Sequence, residues 1–210
     1  MNAEQYVESL IPADPILEKV KEGIRQAGMP EISIAPAFGQ LLTLLVKMTN
    51  AKRILEIGSL GGYSGICLAR GLGEEGKLIS LDINDQFAAV AKRHLVMAEL
   101  GHLVEYRIGD AATSIEQLEL EGAKFDFVFI DADKGGYPYY LDKAIQLAMP
   151  GAVIIGDNTL MHGKTINPDA QSPSVVAMRK FNARMTSDPR LEGLIIPGYD
   201  GLAIARVRSV

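Results

Sequence analysis

From residue 53 onward, short apolar runs alternate with amphipathic stretches, and this alternation limits the folds open to the chain. Strand-like runs cover 53–58, 77–82, 104–109, 125–131, 152–157, 191–197 and 202–207. Helical periodicity fills 62–72, 85–100, 113–121, 137–148 and 174–186. Strands separated by helices build βαβ units and therefore a mostly parallel sheet. Runs such as Phe127-Val-Phe-Ile130 and Val153-Ile-Ile155 are unbroken apolar segments, as strands covered on both faces require. The last two strands are joined only by Gly198-Tyr-Asp-Gly201. That connection is too short for a parallel crossover, so this pair must be antiparallel.

The first 50 residues are helical in pattern. Asp14, between Pro12 and Pro15, suits a helix N-cap, and Ile16, Leu17, Val20 and Ile24 follow at helical spacing. Gly28-Met-Pro30 ends that helix. A second covers 36–49, with Leu41, Leu42, Leu44, Leu45 and Met48 apolar. With no repeat, low-complexity tract or linker, the expectation is one domain over 1–210: a helical cap at 1–50 and a Rossmann-like α/β core at 51–210. A net charge of −5 supplies no basic footprint for nucleic acid. The lone cysteine, Cys67, cannot form an internal disulfide and lies on the apolar side of a predicted helix, as a buried structural thiol would. No signal-peptide pattern opens the chain, and no apolar run approaches the roughly 18–20 residues of a membrane span. A cytoplasmic protein is expected.

The run from Arg53 to Ser64 reads as a buried strand, a glycine turn and the start of a helix. Such a junction gathers backbone N–H groups and a strand-end carboxylate around a ligand. Its glycines, Gly58, Gly61 and Gly62, do not have the G-x-G-x-x-G spacing that approaches a dinucleotide pyrophosphate. Glu56, two residues before the first of them, is awkward beside a phosphate and welcome beside an ammonium or sulfonium. These features favour S-adenosylmethionine (SAM) over a nicotinamide cofactor.

In open α/β sheets, ligands bind at the carboxyl ends of the strands. Here those ends are acidic in succession: Glu56, Asp82, Asp110, Asp131 with Asp133, and Asp157-Asn158. Asp and Asn also mark turns and caps, which accounts for any one of them, but not readily for all of them along one edge. Asp82, at the end of the second strand, can accept from ribose hydroxyls. Asp110-Ala111 would lie against an adenine, with Ala111 leaving room for the ring. Asp131, Asp157 and Asn158 make an all-oxygen set suited to Mg²⁺, Mn²⁺ or Ca²⁺ rather than zinc. Lys134 lies three residues past Asp131. Alone it reads as a loop lysine; beside a divalent cation its ammonium form would be disfavoured, fitting it to take a phenolic proton.

These residues resemble the cation-dependent O-methyltransferases, the family of the caffeoyl-CoA and catechol O-methyltransferases, and lie nearest its caffeoyl-CoA and bacterial branch. The anchors are Leu55-Glu-Ile-Gly58, Gly62-Tyr-Ser64, Asp82-Ile83, Ile130-Asp-Ala-Asp-Lys134, Gly156-Asp-Asn-Thr-Leu160 and Asp200-Gly-Leu202, spread over most of the chain. The resemblance implies a class I methyltransferase sheet of order 3-2-1-4-5-7-6. It assigns Glu56, Gly58, Ser64, Asp82 and Ala111 to the cofactor, and Asp131, Asp157 and Asn158 to the metal. Asp131 also holds the methionine amino group, Lys134 is the catalytic lysine, and relatives pair as homodimers through the N-terminal region. Departures fall on the substrate side: Ile34-Ala-Pro-Ala-Phe-Gly39 before the second helix, Gly135-Gly136 after the lysine, and Met161 where many members have Trp. Gly135-Gly136 suggests a mobile or closely approached loop.

The expected function is therefore methyl transfer from SAM to a hydroxyl of a catechol-like small molecule, with a divalent cation. Modification of a hydroxylated uridine in transfer RNA is an alternative, disfavoured by the net charge, and a SAM-binding protein without catalysis is another, disfavoured by the intact metal-ligand residues and Lys134. Met161 is open between a substrate wall and an exposed loop residue. Tyr137-Pro-Tyr-Tyr140 reads as helix packing before substrate stacking. His94, His102 and His162 read as surface residues.

Overall fold

The computed structural model describes residues 1–208. Among the described residues, β1 (Arg53–Ile57), β2 (Lys77–Asp82), β3 (Val104–Ile108), β4 (Phe125–Ile130), β5 (Ala148–Asp157), β6 (Leu191–Ile196) and β7 (Leu202–Val207) form one sheet in the order β3-β2-β1-β4-β5-β7-β6, the order the resemblance implies. Contacts divide the chain into two compact units, Met1–Ser114 and Ile115–Val210.

The first unit begins with three helices, α1 (Ala3–Ser9), α2 (Pro15–Gln26) and α3 (Pro36–Thr49). Asp14 caps α2 as expected, accepting from the Ile16 and Leu17 N–H groups, and Val20 and Ile24 are buried from its apolar stripe. The first helix was not apparent in the apolar pattern because none of its residues is buried. It is held at its start by a capping box between Asn2 and Gln5. Then come β1 (Arg53–Ile57), α4 (Tyr63–Ala69), β2 (Lys77–Asp82), α5 (Asp85–Met97), β3 (Val104–Ile108) and α6 (Ala111–Leu120), which runs into the second unit. The three strands are parallel, with Leu55 opposite Ile79 and Ser80 opposite Tyr106. Ile54, Leu55, Ile57, Leu78 and Leu81 are almost fully buried. That is the result of the unbroken apolar runs.

The second unit holds β4 (Phe125–Ile130), α7 (Tyr137–Leu147), β5 (Ala148–Asp157), α8 (Pro173–Ser187), β6 (Leu191–Ile196) and β7 (Leu202–Val207). β4 and β5 are parallel, while β7 runs antiparallel to both β5 and β6. The short connection thus produces the hairpin it demanded, turning through positive φ at Tyr199, Asp200 and Gly201. β5 starts four residues before the apolar run at Ala152. Pro150 and Gly151 lie within the strand, and Ala148 pairs with Phe125 across a register shift. Phe127, Val128, Phe129, Ile154 and Ile155 form the buried centre of this unit with Tyr137 and Phe181.

Candidate active site

In the first unit, the turn after β1 is built by side chains that lie far from it in sequence. Gly58, Leu60 and Gly62 have φ of 101°, 44° and 82°. A positive φ at leucine costs on the order of 1–3 kcal/mol and persists only where its surroundings enforce it. Asp82, at the end of β2, does so. Its Oδ2 accepts from Ser59 N–H at 3.1 Å, Leu60 N–H at 3.0 Å and the Ser59 hydroxyl at 2.7 Å. Its Oδ1 accepts from Asn84 N–H at 2.9 Å. At Gly62 a Cβ would lie 3.1 Å from the Ala91 backbone, so the turn lies flat against α5 only without one.

Glu56 is fully buried within this unit. It accepts from the Ser64 hydroxyl at 2.6 Å and the Ser80 hydroxyl at 2.5 Å. Ser64 therefore anchors the first turn of α4 to the strand carboxylate. Any attraction of Glu56 for a cationic ligand acts from beneath the turn. Asp110 is exposed after β3, and its Oδ1 accepts from Thr113 N–H at 3.0 Å, capping the helix that Ala111 begins. Cys67 is buried as expected, which pushes its thiol up to about 12. His94 corrects the surface reading: it is 9% exposed, with Nδ1 2.8 Å from the Gly61 carbonyl. Helix α2 covers it, because Gly23 has no side chain to hold the ring away. His102 is exposed, as is the His162 side chain.

In the second unit, Asp131, Lys134, Asp157 and Asn158 come together at the ends of β4 and β5. The Lys134 Nζ donates to Asp131 Oδ1 at 2.9 Å and Asn158 Oδ1 at 3.2 Å, and lies 3.5 Å from the Asp157 carbonyl. It also donates to the Tyr137 hydroxyl at 2.7 Å. Asn158 is held at φ 55°, and the chain after it is bonded to the β6–β7 turn through Thr159 N–H to Gly201 O and Leu160 N–H to Asp200 O. Asp157 is 4% exposed, and burial, with the Asp131 charge next, pushes its carboxyl up to about 7. Two carboxylates that repel one another in a buried place favour a cation between them. Among the described residues, no three His, Cys, Asp or Glu side chains converge as a metal set; the third oxygen donor here is an amide. Two carboxylates and an amide carbonyl are hard oxygen donors that fit Mg²⁺, Mn²⁺ or Ca²⁺.

Asp133 does not join this group. It accepts from the Tyr140 hydroxyl and from Gly136 N–H, closing the loop before α7. Gly136 is closely approached: a Cβ there would meet the Tyr140 ring at 2.5 Å. Met161 is partly exposed at φ 50°, on a loop fastened by the His162 N–H to Asp200 Oδ1 bond. Tyr137 is the residue the sequence understated. It packs edge-on against Phe181, ring centroids 5.0 Å apart, as helix packing predicts. Its hydroxyl also accepts from Lys134 and reaches the Asp157 carbonyl at 2.8 Å. A signal was available: Tyr137 lies three residues after Lys134 on the helix that follows.

The chain matches the O-methyltransferase family over residues 7–208. It is 37% identical over 214 aligned positions to a catechol O-methyltransferase from Niastella koreensis, covering 99% of this chain and 97% of that one. Among solved structures, an O-methyltransferase from Bacillus cereus in complex with SAH superposes with a TM-score of 0.91 at 40% identity, covering 98% of this chain and 96% of that one. The O-methyltransferase TomG from Streptomyces achromogenes, involved in tomaymycin synthesis and in complex with SAM, gives 0.90 at 35% identity, with 98% and 96% covered.

Proposed function

This chain belongs to the O-methyltransferase family, and we propose that, as a SAM-dependent O-methyltransferase, it methylates a hydroxyl of a catechol-like molecule with the help of a divalent cation. One observation carries the metal-dependent part: Asp131 Oδ1, Asn158 Oδ1 and the Asp157 main-chain carbonyl face the Lys134 ammonium, and the Asp157 carboxyl is raised by burial and by the Asp131 charge. The catechol O-methyltransferase relatives support the substrate class. We take residues 1–210 to work as one catalytic domain.

SAM supplies a methyl group on a positively charged sulfur. For it, Asp82 accepts from the ribose hydroxyls, and Glu56 adds negative potential beneath the turn. Gly58 and Ser64 shape the backbone, Ala111 would leave space for the adenine, and Asp131 would accept from the methionine ammonium. Mg²⁺, Mn²⁺ or Ca²⁺, when bound, would supply a Lewis acid that favours ionisation of a phenolic hydroxyl. Asp131, Asp157 and Asn158 would hold it. Lys134 Nζ takes the phenolic proton, and Tyr137 fixes where Nζ stands. The main contribution of these residues to rate would be to hold the hydroxyl oriented toward the methyl group.

The N-terminal helices support a homodimer: Tyr6, Leu10, Leu44 and Met48 are exposed apolar residues on α1, just after it, and on α3. Light scattering of a monomer at micromolar concentration would count against it. No helix among the described residues is long and apolar enough to cross a membrane, and the lone buried thiol supports a reducing, cytoplasmic setting. The deciding experiment is methyl transfer to a catechol by chelator-treated protein. Activity should vanish and return with Mg²⁺, Mn²⁺ or Ca²⁺, and a monophenol should be a far poorer substrate. Full activity in chelator would end the metal-dependent reading.

A further inference from the structure

The geometry points to His94 as a positioning residue for the cofactor turn, locking the Gly61–Gly62 peptide in the orientation that receives SAM. This rests on the reading that the turn binds SAM. A peptide between two glycines is the part of such a turn most prone to rotate, because neither neighbour has a Cβ to oppose it. Here both ends of that peptide are held. The Gly62 N–H donates to the Ser59 carbonyl at 2.8 Å, and the Gly61 carbonyl lies 2.8 Å from His94 Nδ1. A carbonyl only accepts, so Nδ1 carries the proton. The Ser59 and Leu60 N–H groups are fixed separately by Asp82. His94 is thus the clamp on the half of the turn that Asp82 does not reach.

The ring is itself held in place from the far side. A Cβ on Gly23 of α2 would lie 2.2 Å from His94 Nε2, and a Cβ on Gly61 would lie 2.2 Å from Ile24 Cγ1. The Gly23-Ile24 step therefore presses on the ring and on the turn together. Helix α2, outside the βα alternation, thereby acts on the ligand turn through one imidazole. Losing the Nδ1 bond leaves the turn packed by Ile24 and α5 and Gly62 N–H bonded to Ser59, but releases the Gly61 carbonyl end of the peptide. If only a fraction of molecules then hold the receiving orientation, apparent affinity falls by that fraction.

Three variants and one measurement on the native protein test this. Asn places a carboxamide N–H on Cγ, where His carries Nδ1, whereas Gln places it one carbon further out. By calorimetry, His94→Gln and His94→Leu should bind SAM about three- to tenfold more weakly, the loss of one hydrogen bond. His94→Asn should stay within about twofold of native by the same reasoning. At saturating SAM, kcat should change little, so the effect falls on KM for SAM; a role in stability alone would lower the melting temperature and leave SAM affinity intact. In native protein carrying ¹⁵N-labelled histidine, the buried ring should be the Nδ1–H tautomer, with a slowly exchanging proton that responds to SAM. An Nε2–H tautomer overturns the proposal even if every variant fails to fold. Native SAM affinity in His94→Gln, or His94→Asn as weak as His94→Leu, overturns it as well. Native protein that does not bind SAM refutes the cofactor reading instead, which separates the two failures.

Discussion

Substitution of Asp82 separates two roles that a single carboxylate performs. Among the described residues, three of its four hydrogen bonds converge on Oδ2 and hold the turn, while Oδ1 accepts from Asn84 N–H. A carboxylate offers about four lone-pair sites, so Oδ1 keeps one free for a ribose hydroxyl. Asp82→Ala removes both functions. Bonds to a charged acceptor contribute about 1.5–3 kcal/mol each, but Leu60 is only partly buried, so its N–H can regain water where Ser59 cannot, and the bonds are not additive. A net loss of about 2–4 kcal/mol follows, which in a chain of this size lowers the melting temperature by about 5–15 °C. SAM affinity should fall by about 1–3 kcal/mol, roughly 5- to 150-fold. Asp82→Asn can place its carbonyl where Oδ2 stands and keep the Ser59 and Leu60 bonds. Its NH₂ then replaces Oδ1, opposes the Asn84 N–H, and leaves the ribose only a weaker neutral bond. That variant should keep most of the melting temperature and lose only about two- to tenfold in SAM affinity. Calorimetry with SAM and thermal melts on the three proteins decide it. Native SAM affinity in Asp82→Asn would refute the ribose contact, and a native melt in Asp82→Ala would refute the role in the turn.

Lys134→Ala should lower kcat by about 10²–10⁴ with SAM binding intact, and Lys134→Arg should restore little, because a guanidinium does not give up its proton. Near-native turnover of Lys134→Ala between about pH 6 and 9 would leave the cation as the activator and Lys134 without a base role. Tyr137→Phe keeps the packing on Phe181 but removes one of the groups that hold Nζ, leaving Asp131 and Asn158; kcat should fall about tenfold, while stability changes by about 0.5–1.5 kcal/mol, and unchanged kcat would mean that the Tyr137 hydroxyl does not position Lys134. Because the Asp157 carboxyl is raised to about 7, its contribution to metal-free stability is largest below the unfolded value near 4 and is lost as pH rises through 7. A bound cation displaces that proton, so calorimetric Mg²⁺ affinity and the melting-temperature gain from Mg²⁺ should both be larger at about pH 8 than at about pH 6, and a pH-independent affinity would contradict this. Asp188 is held below the usual carboxylate range, first by its hydrogen bond to Arg190 and also by Arg184. Its stabilisation is present above about pH 4 and lost as pH falls, so Asp188→Asn should melt lower at pH 7 and its deficit should shrink in acid; a constant deficit would show that the ion pairs do not carry it.

How much was legible follows from the range over which each feature is decided. The five alternating strands, the terminal hairpin and the Asp14 cap depend on neighbours in the chain, and apolar period, a four-residue connection and a capping side chain are visible there. The first helix was legible only through Asn2 and Gln5, since it buries nothing. Placement of acids at strand ends was also local, and with it the oxygen chemistry of Asp131, Asp157 and Asn158. What each polar group bonds to was not local. Asp82 reaches the turn across 22 and 23 residues, Lys134 reaches Asn158 across 24, and His94 reaches Gly61 across 33. A histidine in an amphipathic helix reads as exposed until a glycine on another helix lets a backbone close over it. A tyrosine reads as packing until its hydroxyl is found between a lysine and a strand-end carbonyl. The sequence by itself therefore determined the succession of strands and helices and the kinds of atoms available at their ends, because periodicity and residue chemistry are properties of the chain. Only the tertiary structure decided which of those atoms meet, because a hydrogen bond needs its partners about 3 Å apart, and packing between distant segments sets that distance.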